Sequence, residues 1–380
     1  MITVKKPIIK RKAKNLAEIV YPMTNQPDLI FTINSPDLDL ILPVDVSPGI
    51  IFSLSNAIQT NQDINSKEPV DTVLFDGINH WQDRMLSMPK KDNVYWRKHL
   101  QIKKSFNKID INVPRKPLYG ATMKHRIGLF YSGGADSLYS LLTLKEVSDV
   151  VHIQALFMNQ AVSERNLKLL RILKPNVVLH RVTVNYGTYL KSHGRGSSYM
   201  SDIWTWLDHG IVLASIGSLF SNLLTSIAIS GTDRFAGSDC GSGRDIDYLF
   251  SSSMLRFMTF GLRSKVVKYK FLAAHPKAKH ILTHMQSCPH PKPNTVNCSK
   301  CIECILNMLM LDCIGIRPPA YDFSNFEHKV EKYFATKLKN IHPIVPSALY
   351  VVVSEYTKRN NRKMVKICNE MISNYEALSN

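Results

Sequence analysis

Carboxylates are the scarce charge in this chain: 30 Asp and Glu stand against 48 Lys and Arg in 380 residues, a formal net charge of +18. That balance favours an acidic partner, whether a nucleic acid, a negatively charged protein surface or a phosphate-rich small molecule drawn into a basic cleft. Long apolar runs are missing too. The most apolar stretch, 203–229, is broken by Asp208, His209 and Gly210 and carries Asn222, so it reads as a buried helix running into a strand and not as a membrane span. The basic opening from Met1 to Lys12 leads into no apolar core segment and no small-residue cleavage site, so a cytoplasmic protein without a secretory signal is expected. Cysteine is sparse outside one region, since five of the seven fall between Cys288 and Cys313. In an intracellular protein such clustering points to metal binding and away from a disulfide framework. With 44% hydrophobic residues the chain can bury a large core, enough for two or three domains.

Two phosphate-binding motifs are absent as well. No Gly-Lys-[Ser/Thr] follows a glycine loop, and no Gly-x-Gly-x-x-Gly opens a helix. What is present is an apolar strand from Ile127 to Tyr131 that breaks into Ser132-Gly133-Gly134-Ala135-Asp136-Ser137 and restarts as a helix. Adjacent glycines let the backbone turn tightly and present consecutive N–H groups to an anion, and the helix adds its positive N-terminal end. Ser132 and Ser137 can donate to the same oxygens, whereas Asp136 would repel a bare phosphate unless it holds a magnesium ion or caps the helix. The segment therefore reads as a nucleotide site with metal.

Ser132, Gly133, Gly134, Asp136 and Ser137 together resemble the PP-loop of the ATP pyrophosphatase superfamily. That resemblance implies cleavage of ATP between its α and β phosphates and adenylation of a substrate oxygen. It also implies a HUP-like parallel α/β fold, and an adenine held at the end of the second strand, which falls on Phe157 and Met158 here.

The chain is expected to divide into 1–122, a β-rich or α+β domain without a motif; 123–316, the ATP-binding domain; and 317–380, a helical tail. The first contains β-type runs at Leu29–Ile33, Leu38–Leu42 and Thr72–Phe75. Its Trp81, Tyr95 and Trp96 sit among Arg84, Lys90, Lys91, Arg97, Lys98, Lys103 and Lys104, either as a nucleic-acid surface or as core aromatics beside a solvated face. From Ile127 onward strands alternate with helices, with strands at Ile127–Tyr131, Val151–Phe157, Val177–Val184 and Thr225–Ile229. Ligands of open α/β sheets bind beyond the carboxyl ends of strands, which brings Ser132–Ser137, Phe157–Asn159, Asn185–Tyr186 and Ser230–Asp233 to one crevice.

Cys288, Cys298, Cys301 and Cys304 form Cys-x9-Cys-x2-Cys-x2-Cys. Two Cys-x2-Cys steps place three thiolates on a knuckle and a fourth closes a tetrahedron, the coordination of structural zinc, with an iron–sulfur cluster as the competing occupant. Four sulfur ligands leave no position for water, so the metal is assigned to holding the loop together. A PP-loop followed by this cysteine segment resembles the 7-cyano-7-deazaguanine synthases over roughly 126–315. It looks more like a broader group of PP-loop proteins ending in Asn-Cys-Gly-x-Cys-x-Lys-Cys, from which this chain departs at Ser299 and Glu303.

Adenylation needs cations against the departing pyrophosphate. Arg263, Lys265 and Lys268 precede the cysteine region, and Arg263 and Lys265 are the chosen pair, alongside Asp136 and Ser137. Cys240, in a Gly/Ser-rich loop near Arg244, is the candidate persulfide carrier if the reaction is tRNA sulfur transfer. The expected protein is an ATP-dependent, AMP- and pyrophosphate-forming ligase using ATP, Mg2+ and Zn2+. Its acceptor would be a small heterocyclic acid of deazapurine type or an acidic macromolecule, nucleic acid or protein, in nucleic-acid or protein modification or phage defence. A sulfur transferase and a non-catalytic nucleotide sensor are the alternatives.

Overall fold

The computed structural model describes residues 1–87, 107–117, 125–154, 160–187, 204–232, 242–288, 295–337 and 344–379. After a short strand at Ile2–Thr3 that belongs to a separate small sheet come three strands of the main sheet, β1 (Ile8–Ala13), β2 (Leu16–Tyr21) and β3 (Leu29–Asn34), and then helices α1 (Ser47–Thr60) and α2 (Thr72–Ser87). Strand β4 (Ile127–Phe130), helix α3 (Ala135–Thr143), β5 (Val147–Gln154), α4 (Gln160–Leu173), β6 (Val178–Val184), α5 (His209–Ser218), β7 (Ser226–Ser230) and β8 (Arg256–Phe260) make the α/β alternation. The remainder is helical: α6 (Lys265–Ala274), α7 (Ala278–His284), α8 (Ile302–Asp312), α9 (Phe326–Lys337), α10 (Ile344–Lys358) and α11 (Arg362–Ser379).

These strands form one eight-stranded sheet in the order β8-β7-β4-β5-β6-β3-β2-β1. The five from β8 to β6 are parallel, and β3, β2 and β1 are added antiparallel. Every residue of β4 is buried, as befits a central parallel strand with helices on both faces. The chain moves outward from β4 through β5 and β6, then returns to the other side of β4 as β7. The order therefore reverses between β4 and β7, and the crevice beyond their carboxyl ends is where such sheets bind ligands.

The sheet crosses the boundary drawn at residue 122. Arg181 to Val184 of β6 pair with Asn34 to Phe31 of β3, and Ala17, Ile19, Phe31 and Ile33 share one core with Phe130, Val151, Val182 and Ile227. Strands β2 and β3 bury their apolar residues by extending the existing layer under α1 and α5, whereas all six residues of the edge strand β1 are exposed. The helical tail behaves likewise: Tyr356, Met364, Ile367 and Cys368 pack in the core of the opposite face with Leu138, Leu141 and Met308.

Two of the β-type runs are helical. Leu38–Ile41 forms a short helix ended by Leu42 and Pro43, and the Thr72–Phe75 run opens α2, whose start is capped by Asp71 accepting from the Val73 and Leu74 amides at 3.1 and 3.2 Å. Trp81 is a fully buried core residue of α2, while Tyr95, Trp96 and the lysines and arginine from 90 to 104 lie outside the described residues. No helix among the described residues is long and apolar enough to cross a membrane.

Candidate nucleotide loop and cysteine centre

The loop after β4 is built so that only glycine fits at its turn. Gly133 has φ +75°, and a Cβ there would lie 2.4 Å from the Asn166 side chain. Asn166, on α4, donates through Nδ2 to the Ser132 carbonyl at 2.7 Å and so braces the turn from the side. The serines tie the loop to its helix: the Ser132 amide donates to Ser137 Oγ at 3.3 Å, the two hydroxyls lie 3.2 Å apart, and Ser137 Oγ donates to the Gly134 carbonyl at 3.1 Å. Helix α3 begins at Gly134 with no side-chain cap. Its first-turn amides thus present the positive end of the helix beside the loop.

Asp136 does not cap the helix. Its Oδ1 accepts from Thr232 Oγ1 at 2.7 Å and from Lys268 Nζ at 2.5 Å. The contact spans the point where the strand order reverses, since Asp136 follows β4 and Thr232 follows β7. Lys268, on α6, has a fully buried side chain and also donates to the Gly231 carbonyl, with its ammonium 5.7 Å from the Tyr139 ring centroid. Burial pushes the Asp136 carboxyl upward, but the charges of Lys265 and Lys268 and the bonds from Lys268 and Thr232 outweigh it and hold the group below its ordinary value. The result is a carboxylate, 29% exposed, whose charge is set by cations from a distant helix.

Of the two cations chosen from the sequence, Lys265 acts on Asp136 through its charge from the first turn of α6, while Arg263 is exposed on the loop before that helix. Lys268, named with them but not chosen, makes the contact. A lysine beside Val266, Tyr269 and Leu272, the buried residues of its helix, is the pattern that marks it. Thr232 and Asn166 carry no motif of their own. Phe157, Met158 and Cys240 lie outside the described residues.

The cysteines come together. One sulfur atom from each of Cys288, Cys298, Cys301 and Cys304 lies within 4.8 Å of the others, with Cys288 and Cys301 3.8 Å apart and Cys298 and Cys304 3.7 Å apart. Four thiolates about 2.3 Å from a tetrahedral ion are separated by about 3.8 Å, so the donor set fits a metal ion at its centre. Cys301 precedes α8 and Cys304 lies in its first turn. Ser299 sits between the pairs at φ +56°, a left-handed position that glycine occupies more readily, and its hydroxyl accepts from the Asp322 amide at 2.8 Å. Asn297 explains why asparagine precedes Cys298. Its Oδ1 accepts from the Ser287 and Cys288 amides at 2.8 and 3.0 Å, and its Nδ2 donates to the Met285 and Ala320 carbonyls at 3.1 and 3.2 Å.

A second group of metal-ligating types, Asp37, Asp149 and His180, lies at the opposite rim, near the amino ends of β4, β5 and β6. A guanidinium already sits among these residues. Arg126 donates to Asp37 at 2.7 Å and through Nε to Asp149 at 2.9 Å, while His180 Nε2 meets Asp149 at 2.8 Å and its Nδ1 meets Ser35 Oγ at 2.7 Å. The network fastens the antiparallel extension to the parallel strands.

Comparison with known proteins assigns no family: no family model, no curated protein and no solved structure matches the chain.

Proposed function

We propose that the protein is an ATP-dependent adenylating ligase of PP-loop type, whose nucleotide loop is 132–137 and whose cysteine centre holds a structural zinc ion. The observation that carries this reading is the cluster of Asp136, Thr232 and Lys268 at the carboxyl rim of β4 and β7, beside a glycine turn and an uncapped helix start. A phosphate chain lying on that helix start would meet backbone amides and the hydroxyls of Ser132 and Ser137. Asp136 would hold the magnesium ion that accompanies ATP, and Lys268 and Lys265 would offset charge on the departing pyrophosphate. A carboxylate or amide oxygen of the acceptor attacks the α-phosphorus, and the bond to the β-phosphate oxygen breaks with its electron pair leaving on pyrophosphate. A nitrogen nucleophile then attacks the adenylated carbon and expels AMP.

Four sulfurs all within 4.8 Å of one another, two pairs of them 3.7 and 3.8 Å apart, support one zinc ion over a multi-iron cluster, and with four protein ligands the ion is closed to substrate. The acceptor class is a small heterocyclic acid of deazapurine type or an acidic macromolecule bearing one. The macromolecular option draws support from β1, the edge strand of the sheet: all six of its residues are exposed, and Lys5, Lys6, Lys10, Arg11, Lys12 and Lys14 flank or occupy it.

The test is pyrophosphate release from Mg-ATP with a panel of deazapurine carboxylic acids, followed by mass spectrometry for the acyl adenylate. Turnover that disappears in both Asp136→Ala and Lys268→Ala supports the reading. Turnover unaffected by Asp136→Ala removes it.

A further inference from the structure

The cysteine centre and the glycine loop are joined by one short segment, Met285–Cys288. The Gln286 amide donates to the Gly133 carbonyl at 3.1 Å, which fixes the residue that carries the positive φ. The Gln286 carbonyl oxygen also lies against Gly134, where a Cβ would stand 3.2 Å from it. On its other side, Gln286 Nε2 donates to the carbonyl of Cys288 at 2.9 Å, and Asn297 Oδ1 clamps the Cys288 amide. Cys288 in turn presents its sulfur 3.8 Å from that of Cys301. Gln286 is 6% exposed, and its Oε1 is a buried acceptor with no hydrogen-bond partner among the described residues. Because the opposing group is a carbonyl, the side-chain nitrogen must face Cys288, so that segment dictates the orientation of the whole amide.

We infer that Gln286 is a positioning residue through which the metal-loaded cysteine centre holds the nucleotide loop in its binding shape. An ion at the centre fixes Cys288 Sγ, hence the Cys288 carbonyl, hence the Gln286 side-chain amide that donates to it, and through that residue the backbone N–H that donates to the Gly133 carbonyl and so orients the loop's N–H groups. Loss of the ion frees Cys288 and loosens that last link, so occupancy of a closed, non-reacting metal site sets affinity at the loop. The inference deepens the reading of 132–137 as a nucleotide loop and rests on it for its affinity consequence.

The experiment compares four states of the full chain: wild type and Gln286→Ala, each loaded with zinc and stripped by a chelator, with metal content measured on every sample. Backbone hydrogen exchange over 130–140 is followed without nucleotide, and binding of a fluorescent ATP analogue with magnesium is titrated in parallel. Stripping the wild type should speed exchange in the loop by about tenfold and weaken analogue binding by a similar factor. Loaded Gln286→Ala should keep its zinc yet show the same two changes, and stripping it should add little, because both alterations cut one path. Gln286→Met, of similar length but without the amide, is the second variant should the alanine form fold poorly. Exchange and affinity that ignore stripping, or effects of stripping and substitution that simply add, overturn the inference. Analogue binding absent from every state, with loop exchange still responding to zinc, instead refutes the nucleotide reading and leaves the coupling standing.

Discussion

Lys268 Nζ and Asp136 Oδ1 lie 2.5 Å apart, a buried ammonium facing the one carboxylate of the glycine loop. The pair joins residues 132 positions apart in sequence and lies beyond the carboxyl ends of β4 and β7. Removing one partner of a buried pair is more harmful than replacing both, because the remaining group keeps its desolvation cost. Asp136→Ala should therefore lower unfolding free energy by about 2–4 kcal/mol, and Lys268→Met, which removes the buried charge itself, by less. Urea denaturation of both variants checks the order.

Gly133→Ala should leave the fold in place and destroy the loop. The added methyl meets Asn166 at 2.4 Å and the left-handed φ of +75° is strained for alanine, a local cost of about 1–3 kcal/mol. The expected result is circular dichroism like that of the wild type with loss of magnesium-ATP binding by calorimetry.

Asp247 predicts a pH dependence. It is fully buried, and burial pushes its carboxyl up to about 6 despite bonds from Thr259 Oγ1 at 2.6 Å, Ser242 Oγ at 2.8 Å and the Gly243 amide at 3.0 Å. The folded state keeps this proton to higher pH than the unfolded chain, whose carboxyl titrates near 3.8, so unfolding free energy falls as pH rises from about 4 to about 6 and is flat above. The two-unit difference is worth about 3 kcal/mol. Denaturation midpoints across that window should show the decline in the wild type and a flatter profile in Asp247→Asn.

The cysteine centre should carry one zinc ion per chain by mass spectrometry of the native protein. Cys301→Ser and Cys304→Ser should each lose the ion. Both should unfold at lower temperature, since binding free energy at such a site is folding free energy.

If the acceptor is a nucleic acid, β1 is where its backbone would lie. Lys12→Glu with Lys14→Glu should weaken binding of a mixed-sequence oligonucleotide and reduce the slope of log affinity against log salt by about two, one for each phosphate no longer neutralised. An unchanged slope assigns phosphate binding to another surface.

Much of the site was legible because it is local. The strand, glycine turn and helix from Ile127 to Thr143 follow from a continuous apolar run and adjacent glycines, and the cysteine spacing announces its own geometry. What escaped was long-range or ambiguous. The pairing of Asn34 with Arg181 leaves no trace in either segment, so a hairpin that extends the sheet looked like a separate domain. Short apolar runs such as Thr72–Phe75 fit a strand or a helix equally, and the capping aspartate at 71 was the cue that separates them. Lys268 is not distinguished by sequence because a lysine is ordinarily solvated, and only the fold supplies the carboxylate that lets this one be buried.

The most direct test is isotope exchange between labelled pyrophosphate and ATP in the presence of magnesium and an acceptor acid, which occurs only if the enzyme forms an adenylate reversibly. Acceptor-dependent exchange that vanishes in Gly133→Ala and Asp136→Ala is the predicted result. Release of ADP and phosphate in place of AMP and pyrophosphate, or exchange indifferent to both substitutions, would contradict it.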